Sequence, residues 1–241
     1  MNYIFLAAAL VLTAILIPVL IPLLKRMKFG QSIREEGPKS HLIKTGTPTM
    51  GGLSFIAVTI LLSVIGVFFV DDIYKMLVLI IVTLGFALIG FIDDYIIVVK
   101  KNNAGLSSKQ KFLAQIAVAV IIYIIMINWI PDIEAGIQIP GTDFFIPLGI
   151  FFVVWIVFWL VGFSNAVNLT DGLDGLSTGT SIIAFASFLV ISLMTGETEV
   201  ALFLFILIGG LIGFLIYNKY PAKLFMGDTG SLALGGIIAI V

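Results

Sequence analysis

Four short segments carry residues whose types and spacing could do chemistry. Asp93-Asp94 directly follows the apolar run Leu77–Ile92. Two adjacent carboxylates at a membrane edge repel each other and lose hydration. They become tolerable when a divalent cation neutralises them or when one keeps a proton. The plainer reading is a charged helix stop, such as Asp71-Asp72 would be at the other end of the same span. In Ser164-Asn-Ala-Val-Asn-Leu-Thr-Asp-Gly-Leu-Asp-Gly175, the polar residues Asn165, Asn168, Asp171 and Asp174 recur every third position, so neighbours can share a face. Hard oxygen donors in such an array suit Mg²⁺ or a hydroxyl-rich nucleotide or sugar; a solvated loop of capping residues is the alternative. The segment Asn218–Ser231 holds Phe225, a ring that could stack on a base or anchor the interface, and Asp228 between Gly227 and Gly230, a candidate ligand or helix N-cap. Finally, Lys44-Thr-Gly-Thr-Pro-Thr-Met-Gly-Gly52 could cradle a phosphate with its backbone N–H groups, although it lacks the Walker A pattern.

Other chemistry is thin. Cysteine is absent, so disulfides and thiol nucleophiles are excluded. His41 is the single histidine and reads as a loop residue; no Ser-His-Asp arrangement is recognisable. The Lys100–Lys111 cluster could touch lipid phosphates or simply mark a cytoplasmic loop. No aromatic platform accompanies the basic residues, so nucleic acid is not an expected partner.

The elements that must position these segments are membrane spans. Sixty per cent of the 241 residues are hydrophobic and 11% are charged, against about 25% charged in a soluble domain. Apolar runs predict seven transmembrane helices, near Tyr3–Leu24, Gly51–Val70, Met76–Ile92, Phe112–Ile130, Phe145–Phe163, Thr178–Met194 and Val200–Tyr217. Tyr3–Leu24 has no cleavage-site pattern and reads as a retained span. An eighth span begins near Leu232 and reaches only Val241, which predicts that the 241 residues are one integral membrane domain, incomplete at its C-terminus. Every lysine and arginine except Lys75 falls in the loops 25–50, 93–111 and 218–231. The positive-inside rule then puts those loops in the cytoplasm and the N-terminus outside. The opposite loops are acidic, and Glu134–Ile139 alternates before a Pro140-Gly-Thr-Asp143 turn signal, which predicts a short β-hairpin on the outer surface.

Taken together, the segments resemble a known family. Gly37-Pro-Lys-Ser-His-Leu-Ile-Lys-Thr-Gly-Thr-Pro-Thr-Met-Gly-Gly52, Phe91-Ile-Asp-Asp-Tyr95, Ser107-Ser-Lys-Gln-Lys-Phe112, Asn165–Gly175 and Phe225-Met-Gly-Asp-Thr-Gly230 stand in the order of the polyprenyl-phosphate N-acetylhexosamine-1-phosphate transferases, and match best the phospho-N-acetylmuramoyl-pentapeptide transferase branch. The resemblance implies ten spans in the parent protein. It also implies a bacterial inner-membrane enzyme that moves the phospho-sugar of UDP-N-acetylmuramoyl-pentapeptide to undecaprenyl phosphate, releasing UMP in peptidoglycan synthesis, with Mg²⁺ required. Carried over by position, Asp228 is the Mg²⁺ ligand of the Phe-Met-Gly-Asp motif, and Asp93 and Asp94 are the catalytic carboxylate pair and further metal ligands. Asn168, Asp171, Asp174, Asn218 and Phe225 resemble the nucleoside side of the site, with Phe225 stacked on uracil, and Asn165 is a further substrate-binding candidate. Lys44 and Thr49 flank that pocket, and Lys101 and Lys109 are candidate phosphate contacts. A homodimer is the family's expectation.

Two departures follow from the same resemblance. The family's histidine-rich loop after the eighth span is not within the 241 residues, so these residues alone are expected to be inactive. The family's lysine two residues after Asp93-Asp94-Tyr95 is Ile97 here, leaving Lys100 or Lys101 to take its place. Competing readings are a sister transferase using UDP-N-acetylglucosamine, an ion-coupled transporter and an inert scaffold. A transporter would put its polar residues near mid-membrane, whereas here they gather at one face.

Overall fold

Apolar runs of this length leave the backbone no hydrogen-bonding partner in a bilayer except itself, and helices result. A computed structural model describes residues 2–26, 46–99, 105–130, 133–139 and 141–241. Its helices are α1 (Asn2–Arg26), α2 (Gly52–Gly66, prolonged by a 3₁₀ turn to Phe69), α3 (Ile73–Val99), α4 (Ser108–Trp129), α5 (Phe152–Thr170), α6 (Leu176–Thr195), α7 (Thr198–Asn218) and α8 (Gly227–Ile240). Seven of them are long and apolar enough to cross a membrane, and α8 is shorter. The chain is a multi-pass membrane protein. The expected hairpin is present as β1 (Gly136–Gln138) and β2 (Phe145–Pro147), antiparallel with Ile137 opposite Ile146.

Several boundaries differ from the sequence expectation, and three of the differences relocate the candidate aspartates and asparagines. α3 does not stop at Ile92 but continues to Val99, because Ile96, Ile97 and Val98 keep packing after the carboxylates. Asp93 and Asp94 are therefore inside a helix. α5 begins after the hairpin has used Phe145–Pro147, and it runs on to Thr170, so Asn165 and Asn168 are helical. α8 starts at Gly227, ahead of Leu232, and Asp228 lies in its first turn.

Two apolar cores organise the bundle. α7 is the axis of the first, with Phe203, Leu204, Ile206, Leu207, Leu211 and Phe214 buried against α1, α2 and α6. Its glycines let α1 lie directly on its backbone: a Cβ at Gly209 would strike the carbonyl of Leu6, and one at Gly213 the carbonyl of Leu10, 2.6 Å away. Small residues at such crossings replace the hydrophobic drive that lipid removes. The second core joins α3, α4, α5 and α8 through Phe86, Ile122, Phe152, Leu160 and Leu232. α8 is wedged against both α3 and α5, and its N-terminus points into the place where the polar segments meet.

Candidate active site

Local sequence sets each wall of the site. α4 opens with a capping box: the Ser107 hydroxyl accepts from the Gln110 N–H at 3.3 Å, and the Gln110 side chain accepts from the Ser107 N–H at 3.0 Å. That fixed start puts Lys111 and Gln115, four residues apart, on one face toward α3 and α5. On α3, Gly90 allows the start of α8 to come close, since a Cβ there would overlap the backbone carbonyl of Asp228. The strand-like segment before α2 closes the other side. Phe225 N–H donates to Pro48 O, and the N–H groups of Gly51 and Gly52 donate to the carbonyls of Phe225 and Met226.

Asp94 is 5% exposed, and its carboxylate is turned into the N-terminus of α8. It accepts from the N–H of Asp228 at 3.1 Å, the N–H of Thr229 at 2.9 Å and the hydroxyl of Thr229 at 2.7 Å. A helix N-terminus has unsatisfied donors and a partial positive charge, so a carboxylate from a neighbouring helix caps it as a local Asp would. Asp94 thus positions Asp228. Asp93, 3% exposed, accepts from the Leu106 N–H at 2.8 Å and pairs with Lys111 at 3.2 Å. The same Lys111 Nζ lies 2.5 Å from Asp228 Oδ2, so two carboxylates converge on one ammonium. Among the described residues, the lysine that reaches the carboxylates comes from α4.

The Asn/Asp ladder reaches a different element at each rung. Asn165 donates to Gln115 Oε1 of α4 at 2.9 Å. Asn168 donates to Asp228 Oδ1 and to the Ser231 hydroxyl, both at 2.8 Å. Asp171 lies in the turn after α5, near the Gly227 backbone. Burial, with the nearby Asp228 and Asp94 carboxylates, raises its carboxyl to about 7. Asp174 accepts from the Ala222 N–H at 3.0 Å and so holds the segment between α7 and α8. Asn218, 2% exposed, does the same from within: it accepts from the Thr178 hydroxyl at 2.7 Å and donates to Leu224 O at 3.0 Å. Thr49 is buried beside Gly227. Phe225 is half-buried at the rim, with its backbone fixed on both sides. Lys44, Lys101, Lys100 and His41 lie outside the described residues.

A cavity of about 620 Å³ opens beside this cluster, between α4 and α5. Lys109, Lys111, Phe112, Gln115, Asn165 and Asn168 line it. Gln115 is 1% exposed, its oxygen is held by Asn165, and its Nε2 has no partner among the described residues. A buried donor without a partner is costly and marks a place for an acceptor.

Lys111, Gln115, Thr229 and Ser231 are the site residues that sequence reasoning left without roles. For the first two a signal existed: polar residues four apart, entering an apolar run one turn beyond a capping box.

Sequence comparison agrees with this arrangement. Residues 76–241 match the model of glycosyl transferase family 4. The chain is 62% identical to the phospho-N-acetylmuramoyl-pentapeptide-transferase of Staphylococcus carnosus, 60% to that of Staphylococcus saprophyticus and 58% to that of Staphylococcus aureus. Each match takes in the whole chain and 75% of the relative. With the aspartates of three separated segments assembled around α8, and with these identities over its full length, the chain belongs to the phospho-N-acetylmuramoyl-pentapeptide-transferases of glycosyl transferase family 4.

Proposed function

We propose that the chain transfers phospho-N-acetylmuramoyl-pentapeptide from its UDP-linked donor to undecaprenyl phosphate. The products are UMP and the first lipid intermediate of peptidoglycan synthesis, made at the cytoplasmic face of the bacterial inner membrane with the N-terminus outside. The observation that carries this reading is the convergence of Asp93 and Asp228 on one cationic atom beside a cavity lined by lysines and amides. Both reactants are anionic, so their approach needs exactly such neutralisation and such donors.

The residues fit Mg²⁺. Asp228, with its side chain 25% exposed, pairs with Lys111 of the cavity wall, and Asp93 stands across Lys111 from it. Among the described residues no three acidic or histidine side chains form a ready-made metal site. That suits Mg²⁺, which is commonly held by one or two carboxylates while water and substrate phosphates complete its shell. Bound there, the ion would neutralise the pyrophosphate and steady the leaving UMP. Asp94 takes the capping role in this reading, since both its oxygens accept from the first turn of α8.

The chain's own groups supply the rest. Asp93 holds the proton-accepting or orienting position toward the lipid phosphate. Lys109 and the Gln115 amide donate to phosphate oxygens in the cavity, and the Phe225 ring stacks on the uracil. Asn168 keeps Asp228 aimed, while Asp174 and Asn218 hold the segment that presents Phe225. Attack of the lipid phosphate is direct; trapping a phosphorylated Asp93 would overturn that order of events.

UMP release from the muramoyl-pentapeptide donor, with undecaprenyl phosphate and Mg²⁺, tests the proposal. Release that chelation abolishes supports it, and preference for UDP-N-acetylglucosamine in competition would replace the donor. The 241 residues run beside a form carried to the relatives' length test the expectation that they are inactive by themselves. Cross-linking in native membranes tests the expected homodimer.

A further inference from the structure

Lys111 occupies the position that a cation between Asp93 and Asp228 would take. Its Nζ is 2.5 Å from Asp228 and 3.2 Å from Asp93, and its side chain is 20% exposed. One positive charge there faces two carboxylates. Lysine is a compact charge on a flexible four-carbon stem, well suited to leave and return. Room to leave is at hand: Lys111 is itself part of the wall of the 620 Å³ cavity, beside Lys109 and the unpartnered Gln115 amide.

We propose that Lys111 is a placeholder cation. In the metal-free protein it holds Asp93 and Asp228 together against their repulsion. When a divalent cation arrives, Lys111 gives up the carboxylates and swings into the cavity, where its ammonium meets a substrate phosphate. The inference rests on reading Asp228 as the Mg²⁺ ligand. Two consequences follow. The metal binds against an internal competitor, so its affinity is held down. An anionic substrate that draws Lys111 into the cavity must also tighten metal binding, since coupling between two ligands is reciprocal.

Mn²⁺ binding, followed by its electron paramagnetic resonance signal without substrate, separates the possibilities, because carboxylate and water sites accept Mn²⁺ and Mg²⁺ alike. Lys111→Gln is expected to bind Mn²⁺ about tenfold more tightly, equivalent to ~1.4 kcal/mol. Lys223→Gln, which removes a charge from the exposed segment before α8, is expected to leave binding unchanged. Asp228→Asn is expected to lose the site. Retention of the site in Asp228→Asn would overturn the metal reading itself. Loss there, together with unchanged or weaker binding in Lys111→Gln, would overturn the placeholder alone. The unmodified protein gives a second readout: Mg²⁺ should speed acylation of the Lys111 amine by a lysine-directed reagent, and an unchanged or slower rate would sink the idea.

Discussion

α3 carries one aspartate doublet at each end, and in each pair one member caps a helix. Asp72 accepts from the Tyr74 N–H at 2.9 Å and caps α3 itself. Asp94 accepts from the first turn of α8 and caps a helix that follows it by more than a hundred residues. The partners are treated differently. Asp71 is exposed to solvent, while Asp93 is enclosed among α3, α4 and α8 and is paired with Lys111. The two lysines repeat the contrast. Lys75 meets Glu197 at 2.6 Å with the side chains 30% and 41% exposed, a one-to-one clasp. Lys111 is shared by two carboxylates beside a cavity. An identical dipeptide is a helix start at one end and a candidate catalytic site at the other, because other helices enclose only the second.

Substitutions at the two ends should separate accordingly. Asp228→Asn is expected to lower transfer by roughly 10³-fold, the scale of a single electrostatic group in a water-poor site. Measured UMP release within a few-fold of wild type would place the chemistry elsewhere. Asp94→Ala strands three donors of α8 and is expected to cost about 2–3 kcal/mol. Asp72→Ala should cost about 1 kcal/mol as an ordinary cap, and Asp71→Ala no more than ~0.5 kcal/mol. Thermal unfolding in one detergent ranks the three, and equal shifts would erase the contrast.

Asp171 makes the comparison depend on pH. Its folded carboxyl titrates near 7, above its ordinary value of 3.8. In the metal-free protein its contribution is complete below the unfolded value and is lost as pH rises toward 7. Asp171→Asn should therefore match wild type near pH 4 and exceed it in stability above pH 7. Parallel unfolding curves across that window would show that the carboxyl is not held protonated. The smallest effect belongs to the far clasp: Lys75→Gln is expected to cost ~0.2–1 kcal/mol, with transfer unchanged.

Much of the site was readable in advance because its residues are polar where polarity is expensive. Asp93, Asp94, Asp171 and Asp228 stand out against long apolar runs, and the structure brings all four to the start of α8. What each one does was not readable. The sequence reading makes Asp94 the equal of Asp93, yet one caps α8 and the other faces Lys111. It groups Asn218 and Asp174 with a nucleoside pocket, and does not foresee that their hydrogen bonds to Thr178, Leu224 and Ala222 hold the segment before α8. The sequence reading leaves Lys111 in a general basic cluster, although its spacing from Gln115 beyond a capping box is a local signal; which carboxylates it meets depends on the packing of α4 against α3 and α8.

Composition and hydropathy alone determined the membrane class and the seven spans, because backbone satisfaction in lipid leaves no other structure for such runs; the hairpin followed from its alternation and turn signal. Charge asymmetry alone gave the expected orientation. Partnership was decided only by the tertiary structure. Gly90, Gly209 and Gly213 allow backbones to meet at distances that no one-dimensional pattern reports. Helix packing then determined which carboxylates were covered, which donor was left without an acceptor, and which lysine reached the pair. Those are contacts between residues far apart in the chain, and their energies depend on burial that exists only once the helices have packed.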